Sequence, residues 1–368
     1  MPKQARLSST SLRYSQIDWA LARKLRVRLC MDCLESPYTR AMSESTPYAG
    51  LTPDCVLDCV ESTAYRCDGR QLALNSYENR VYQVGIEDEA PVIAKFYRPA
   101  RWSDEQILEE HQFSQALADA EIPVVAPLIL QNLSLHTHQG FRFAIYPRRG
   151  GRAPELGDPQ VSEWIGRFIG RMHAMGAVKA FVHRPSLDID SFGTEPRAFL
   201  IDSGFLPGDI AQAYSGTSAR ALEAIQRCFG QAGDVKSIRL HGDVHAGNML
   251  WTDEGPHFVD LDDARMGPAI QDLWMLLSGD RASMTRQLSD VLAGYEDFCE
   301  FDRRELNLLE ALRTLRILHY AAWVARRWDD PAFPAAFTWF NTQRYWEEHI
   351  LQLKEQIAAM EEAPLGPV

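Results

Sequence analysis

The sequence contains no apolar run of the roughly 20 residues that a membrane-spanning helix needs, and its first residues lack the compact apolar segment of a secretory signal. Its seven cysteines are an odd number without an even framework, which fits a reducing compartment better than a disulfide-stapled secreted domain. A positive net charge is also missing: the formal value is −12 at pH 7, which argues against nucleic acid as the main partner. We therefore expect a cytoplasmic protein with no membrane and no nucleic acid among its partners, and we expect a monomer.

The positive charge that is present is concentrated at the start of the chain. Residues 1–41 carry eight lysines and arginines against three acidic residues. We interpret 1–41 as a poorly ordered basic extension or an over-long start assignment, with an interaction tail or a membrane-surface stretch as the alternative. Cys30-x-x-Cys33 and Cys55-x-x-x-Cys59 could be drawn as a zinc site, but the compact spacing of a finger or ribbon is missing, so we do not favour one.

Strand patterns dominate the first half of the remaining sequence. Alternating or β-favouring residues predict strands at 71–74, 80–84 and 91–97, of which the first two form a hairpin. A second hairpin is predicted from 133–136 and 141–146, about the turn 137–140. These segments together indicate a small antiparallel sheet.

The stretch Pro147-Arg-Arg-Gly-Gly151 interrupts this pattern and is the best boundary between two lobes, because helical patterns dominate after it. We predict an α+β fold with two lobes, a small antiparallel-sheet lobe at 42–147 and a larger, mostly helical lobe at 148–368. The main helices are predicted at 158–175, 269–278, 284–300, 303–327 and 341–362.

Two charged side chains fall at notable places in the first lobe. Lys95 lies inside the third strand, where a lone lysine is usually solvated. A capping box at Ser103 opens a helix through Ala120, and Glu110 lies on its packed face. A buried carboxylate needs a partner, and Lys95 is the candidate; the alternative is that Glu109 and Glu110 are a solvated pair.

The stretch from Arg239 to Asp263 carries the most chemical information. Asp243 and Asn248 lie in a His-x-Asp-x-x-x-x-Asn frame, and Asp260 follows on an apolar strand. Phosphoryl transfer needs a carboxylate that accepts the proton of the attacking hydroxyl, and a carboxylate with an amide oxygen to hold Mg²⁺. Singly, each residue could be an ordinary loop or turn residue. Their arrangement predicts a phosphoryl-transfer site.

In chain order these parts are a strand lysine, a helix glutamate, the His-x-Asp loop and a strand-end aspartate, which is their order in the protein-kinase fold. His241-Gly-Asp243, in place of His-Arg-Asp, resembles the aminoglycoside phosphotransferase and choline kinase branch. Within that branch the chain resembles the SrkA/RdoA family, the bacterial stress response kinase A family, from about residue 51 to the end. The stretches that carry this resemblance are 74–83, 95–102, 106–113, 240–248, 258–264 and 326–334.

The resemblance implies an aminoglycoside-kinase-like fold and a cytosolic, ATP- and Mg²⁺-dependent serine/threonine protein kinase of the stress response. It implies Asp243 as the catalytic proton acceptor and Asn248 and Asp260 as metal ligands, with Asp260 counted among the catalytic residues. Lys95 and Glu110 would align the ATP phosphates, and Ser76 would lie near them in the turn Asn75-Ser-Tyr-Glu-Asn79. This turn lacks Gly-x-Gly-x-x-Gly, so phosphate contact would rest on backbone amides and the Ser76 hydroxyl. The lobe at 42–147 would bind the nucleotide, and the lobe at 148–368 would hold the catalytic and substrate sites.

Several neighbouring residues have roles that the resemblance leaves open. Asp272, in the first turn of a helix, could accept backbone amides of the catalytic loop or could only complement the helix dipole. His245 could assist the transferred phosphate or simply pack. We expect the backbone of 146–149 to meet the adenine edge. Asp262 and Asp263 could attract a cationic substrate or could only orient loops.

Three functions are compatible with these residues. The leading one is a protein kinase acting on serine or threonine hydroxyls of a protein substrate, with ATP as co-substrate. The alternative is a small-molecule kinase for an amino alcohol or an aminoglycoside-like acceptor, because one fold hosts both. A nucleotide-binding pseudoenzyme is the third, and the intact set of Lys95, Asp243, Asn248 and Asp260 argues against it.

Overall fold

The computed structural model describes residues 47–366. The predictions for residues 1–41, with Cys30 and Cys33, lie outside the described residues. Cys55 and Cys59 are buried, free thiols in the first described helix, α1 (Pro53–Glu61). Between residues 47 and 366, no helix is both long and apolar enough to cross a membrane.

A five-stranded antiparallel sheet forms the smaller lobe, in the order β1-β2-β3-β5-β4. Its register places Arg80 opposite Phe96 and Phe96 opposite Phe143 at one end, and Val92 opposite Pro147 at the other end. The strands are β1 (Cys67–Ala73), β2 (Arg80–Ile86), β3 (Val92–Phe96), β4 (His136–His138) and β5 (Phe141–Pro147).

Helix α2 (Asp104–Asp119) connects β3 to the rest of the sheet lobe. It begins at the predicted capping box, because the Ser103 hydroxyl accepts the amide of Gln106 while the Gln106 side chain accepts the amide of Ser103. Phe113 and Leu117 on its buried face join the core of the larger lobe, which also contains Phe181. Helix α2 therefore packs against both lobes.

Helices form most of the larger lobe, with two small two-stranded sheets near the lobe boundary. The helices are α3 (Pro159–Gly176), α4 (Glu195–Asp202), α5 (Gly208–Ala232), α6 (Gln271–Trp274), α7 (Arg281–Tyr295), α8 (Leu309–Ala325), α9 (Ala332–Ala336) and α10 (Gln343–Glu361). The small sheets pair β6 (Ile238–Leu240) with β9 (Arg265–Gly267), and β7 (Met249–Thr252) with β8 (Gly255–Phe258). The predicted α+β, two-lobed fold with a small antiparallel sheet is confirmed.

Some predicted element bounds were wrong. The helix expected at 269–278 is one short turn, α6, and the helix expected from 303 begins as 3-10 helix and becomes α-helical at Leu309. In the second hairpin, Thr137 and His138 belong to β4, so the turn is only Gln139-Gly140. Both turn residues have positive φ, 48° and 82°, as a two-residue hairpin turn requires.

Candidate active site

The catalytic loop spans residues 241–248, between β6 and β7. β6 is buried and pairs with β9, so it fixes the start of the loop, and the hairpin of β7 and β8 fixes its end. The amide of Val259 donates to the carbonyl of Asn248, 3.0 Å away. This bond brings the end of the loop beside Asp260, the residue that follows Val259.

We call the region between Lys95 of the smaller lobe and the loop 241–248 with Asp260 of the larger lobe the cleft. In this loop, cations and an amide surround the carboxylate of Asp243. Its Oδ1 is 2.7 Å from Arg316 Nη1, and its Oδ2 is 3.3 Å from His245 Nε2 and 3.1 Å from Asn248 Nδ2. Burial alone would raise the pKa of Asp243, but Arg316 and His245 more than offset this, so the pKa lies below its usual range. The carboxylate is therefore ionised at neutral pH and can accept a hydrogen bond from a hydroxyl.

Asp272 anchors the catalytic loop, which confirms the first of its two predicted roles. Its Oδ2 accepts the amide of His241 and its Oδ1 accepts the amide of Gly242, both at 2.8 Å. His173 Nε2 lies 3.1 Å from the same Oδ2. Gly242 has φ +86°, and a Cβ there would lie 2.2 Å from the carbonyl oxygen of Asp263, so only glycine fits this bend.

We expect Asp272→Asn to weaken both stability and activity. Asp272 is fully buried, and the new amide could accept only one of the two backbone N–H groups, which leaves a buried donor unsatisfied. The free energy of unfolding, measured in urea, should fall by about 1–3 kcal/mol, and kcat should fall at least about tenfold because the loop carrying Asp243 loses its anchor. A variant with wild-type stability and kcat would contradict this anchoring role.

Lys95 reaches across the cleft to the acidic stretch after β8. Its Nζ is 2.8 Å from Asp260 Oδ1 and 3.2 Å from Asp262 Oδ1. Burial alone would lower the pKa of Lys95, but Asp260 and Asp262 raise it well above its usual range. Asp260 itself has left-handed backbone, φ 63° and ψ 62°, and its side chain is 53% exposed in the cleft.

The predicted pairing of Lys95 with Glu110 was not found. Glu110 is buried as expected, but its Oε2 lies 3.7 Å from His111 Nε2, while Lys95 contacts the two aspartates. Burial raises the pKa of Glu110 to about 7, although the charge of Lys95 acts in the opposite direction. The role of Glu110 in aligning phosphates therefore stays a prediction.

The alternative of a solvated Glu109–Glu110 pair was wrong for Glu110, which is buried, whereas Glu109 is partly exposed but hydrogen-bonded within the protein. The carboxylate of Glu109 accepts the backbone amides of Val182, His183 and Arg184 at 2.6–2.8 Å. These amides belong to the segment after α3, so Glu109 joins α2 to the larger lobe.

The predicted metal ligands fit a divalent cation shared with phosphates. The amide nitrogen of Asn248 donates to the carbonyl and the carboxylate of Asp243 at 3.0 and 3.1 Å, which leaves its amide oxygen for a cation. Asp260 exposes its carboxylate to the same cleft. In the part of the chain that the structure describes, no group of three or more His, Cys, Asp or Glu could hold a metal alone. Phosphate and water oxygens would complete the shell, as is usual for Mg²⁺.

Asp262 and Asp263 are engaged by cations, which supports loop orientation over attraction of a substrate. Asp262 is 2.5 Å from Arg101 Nη1 as well as 3.2 Å from Lys95, and it is buried. Asp263 Oδ1 is 2.9 Å from Arg101 and 2.8 Å from Arg265. Neither carboxylate has the unneutralised charge that would draw a cationic substrate.

Ser76 lies partly exposed in the turn between β1 and β2, where phosphate contact was predicted. The sequence reasoning missed Arg316, which lies on α8 and contacts Asp243 from outside the catalytic loop. No pattern near Asp243 could have identified it, because α8 follows only after β7, β8, β9 and two further helices.

The chain is similar to several known proteins. A model of the phosphotransferase enzyme family matches residues 70–309. Stress response kinase A of Escherichia coli (strain K12) is 44% identical over 315 residues, which cover 86% of this chain and 95% of that protein. The serine/threonine protein kinase RdoA of Salmonella typhimurium (strain LT2) has the same identity and coverage.

A solved structure shows the same fold. The amicoumacin kinase hAmiN, in complex with AMP-PNP, Ca²⁺ and Ami, has a TM-score of 0.65 at 17% identity, covering 84% of this chain and 95% of that chain. The predicted fold and enzyme class are thus confirmed. The chain belongs to the phosphotransferase enzyme family, among the homologues of stress response kinase A, and is a kinase.

Proposed function

We propose that this kinase transfers the γ-phosphate of ATP, with Mg²⁺, to serine or threonine hydroxyls of proteins in a bacterial stress response. The observation that carries the proposal is the ion pair of Lys95 with Asp260, which the hydrogen bond from Val259 to Asn248 places beside the loop of Asp243 and Asn248. Similarity to a protein named serine/threonine protein kinase, over 86% of this chain, supports the choice of acceptor. A cytoplasmic location fits such a substrate.

In this proposal each charged group has one task. Asp243 accepts the proton of the acceptor hydroxyl. The hydroxyl oxygen bonds to the γ-phosphorus, and the bond between the γ-phosphorus and the oxygen that bridges it to the β-phosphate breaks. Lys95 contacts phosphate oxygens, and Asn248 and Asp260 hold Mg²⁺, whose charge offsets that of the phosphates. The turn with Ser76 covers the phosphates, and the backbone of 146–149 meets the adenine edge.

The low pKa of Asp243 fits this chemistry. A carboxylate held ionised by Arg316 and His245 is a weak base, so it orients the hydroxyl and takes its proton late, when the phosphorus–oxygen bond is largely formed. Most of the rate enhancement then comes from positioning and charge neutralisation.

The charges near Asp243 disfavour the cationic acceptors of the small-molecule alternative. Asp262 and Asp263 are neutralised by Arg101, Lys95 and Arg265. Arg316 contacts the base itself and would repel an ammonium group at that position. A serine or threonine hydroxyl on a protein carries no such charge.

The acceptor can be identified by incubating the purified chain with Mg²⁺ and ATP labelled at the γ-phosphate. Parallel reactions contain no acceptor, a generic protein acceptor, choline, homoserine or an aminoglycoside. We expect acid-stable label on serine or threonine of the protein, at rates that depend on Mg²⁺. Label on a small molecule, with none on protein, would overturn the proposed acceptor class.

A further inference from the structure

The segment 326–334 carries part of the family resemblance but contains none of the catalytic residues. In the structure it follows α8 and contacts the phosphate turn, residues 74–79, between β1 and β2. Arg327 Nε is 2.8 Å from Glu78 Oε2, and Asp330 Oδ2 is 2.5 Å from Arg98 Nη2. Trp323, at the end of α8, also donates its indole N–H to Glu78 Oε2 at 2.5 Å.

These contacts form one connected group, which we call the interlobe clamp: Glu78 and Arg98 of the smaller lobe with Arg327 and Asp330 of the larger lobe. Arg98 Nε lies 3.0 Å from Glu78 Oε1, so the two ion pairs across the lobes share a bond within the smaller lobe. The side chains are 7–17% exposed. At this burial, solvent screens the charges little, so the geometry of the contacts matters.

The clamp lies at one end of the sheet, and the chain passes from the smaller lobe to the larger lobe at the other end. The chain leaves the sheet after Pro147, which is opposite Val92, whereas Arg80, after the phosphate turn, is opposite Phe96. The two ends are four residue steps apart along β3, or roughly 13 Å. The clamp therefore joins the lobes at the end of the sheet that lies away from the backbone connection.

We infer that Arg327 and Asp330 are positioning residues for the nucleotide: from the larger lobe they hold the phosphate turn over the ATP phosphates. This inference rests on the proposed function, since it takes the cleft as the ATP site. The turn lacks the glycines that would let it follow the phosphates, and its Glu78 is fixed on three sides by Arg98, Arg327 and Trp323. Because the turn is already fixed, its amides and the Ser76 hydroxyl can contact ATP without the entropy cost of ordering the turn when ATP binds.

A gain in stability does not by itself explain why the interlobe clamp is present. A buried ion pair contributes little net stability compared with apolar residues of similar volume, because desolvation offsets the attraction. The contacts do join the lobes at one particular place, since Arg327 and Trp323 contact Glu78 of the phosphate turn and Asp330 contacts Arg98. A link to the turn that would cover the phosphates points to the nucleotide.

The test compares Arg327→Met, Arg327→Lys and Asp330→Asn with the wild-type chain. The methionine keeps the apolar stem against Trp323 but removes the charge, whereas the lysine keeps the charge. We expect the Kd for ATP with Mg²⁺, measured by calorimetry, to rise about tenfold in Arg327→Met and Asp330→Asn, and less in Arg327→Lys. In the absence of nucleotide, amide hydrogen exchange in a peptide containing 74–79 should become faster in the two charge-removing variants.

Arg326→Met is the matched control, because Arg326 is exposed and adjacent to Arg327 but contacts Phe199 and not the turn. It should leave the Kd and the exchange unchanged. If the charge-removing variants lose thermal stability but keep the wild-type Kd and exchange, the clamp is only structural and the inference is wrong. If the wild-type chain does not bind ATP, the proposed function fails instead, while the exchange without nucleotide still reports whether the clamp holds the turn.

Discussion

Replacing Asp243 by asparagine should lower kcat by roughly 10²- to 10⁴-fold, the range that a positioned acid or base contributes. Asparagine has nearly the same shape but cannot take the hydroxyl proton, and its NH₂ would face Arg316 or Asn248, which are donors as well. In the proposed function the nucleotide phosphates contact other groups, so the Kd for ATP with Mg²⁺ should stay within a few-fold of wild type. Steady-state transfer and calorimetric binding together measure both quantities.

Asp253→Asn is a suitable control for this experiment. Asp253 is exposed in the turn between β7 and β8, on the hairpin that fixes the end of the catalytic loop. This variant should transfer phosphate at the wild-type rate. If Asp243→Asn also kept more than about a tenth of the wild-type kcat, Asp243 would not be the base.

Replacing Asp260 by asparagine should lower kcat by a similar or larger factor and weaken the response to Mg²⁺. Asp260 is a predicted metal ligand and also holds Lys95 at 2.8 Å, so in the proposed function the loss of its charge would affect both the metal and Lys95. Lys95 would keep Asp262 as its partner at 3.2 Å, which would pull the amine away from the phosphates. The rate measured against Mg²⁺ concentration should saturate only at much higher Mg²⁺ than in the wild type.

Asparagine is the informative replacement because Asp260 has left-handed backbone. Asparagine adopts this conformation more readily than alanine does, so Asp260→Asn removes charge without adding backbone strain. Asp88, with φ 58° in the exposed turn between β2 and β3, provides the matched change of charge at the same backbone conformation. Asp88→Asn should leave the Mg²⁺ dependence unchanged, and an unchanged Asp260→Asn would falsify the assigned role.

The sequence predicted best the part of the site whose residues lie near one another in the chain. The His-x-Asp-x-x-x-x-Asn frame and the hairpin after it predicted a loop that brings Asp243, Asn248 and Asp260 to one cleft, because a short loop and a two-stranded hairpin leave few other arrangements. The Ser103 capping box predicted the start of α2 for the same reason, since the reciprocal bonds span only three residues.

Contacts between distant segments could not be predicted in this way. Whether Lys95 bonds to Glu110 or to Asp260 depends on how closely the lobes approach, and the pairing that forms was not the predicted one. Arg316 lies on α8 and the clamp residues Arg327 and Asp330 follow it, so they reach Asp243 and the phosphate turn only through tertiary packing.

Glu109 and the packing of α2 limit the ways in which this kinase can be controlled. In many protein kinases the corresponding helix swings outward to switch the enzyme off. Here such a swing would break three backbone bonds to Glu109 and expose Phe113 and Leu117, which costs on the order of 5 kcal/mol. A hinged movement of α2 would therefore have to overcome this cost before it could change the activity.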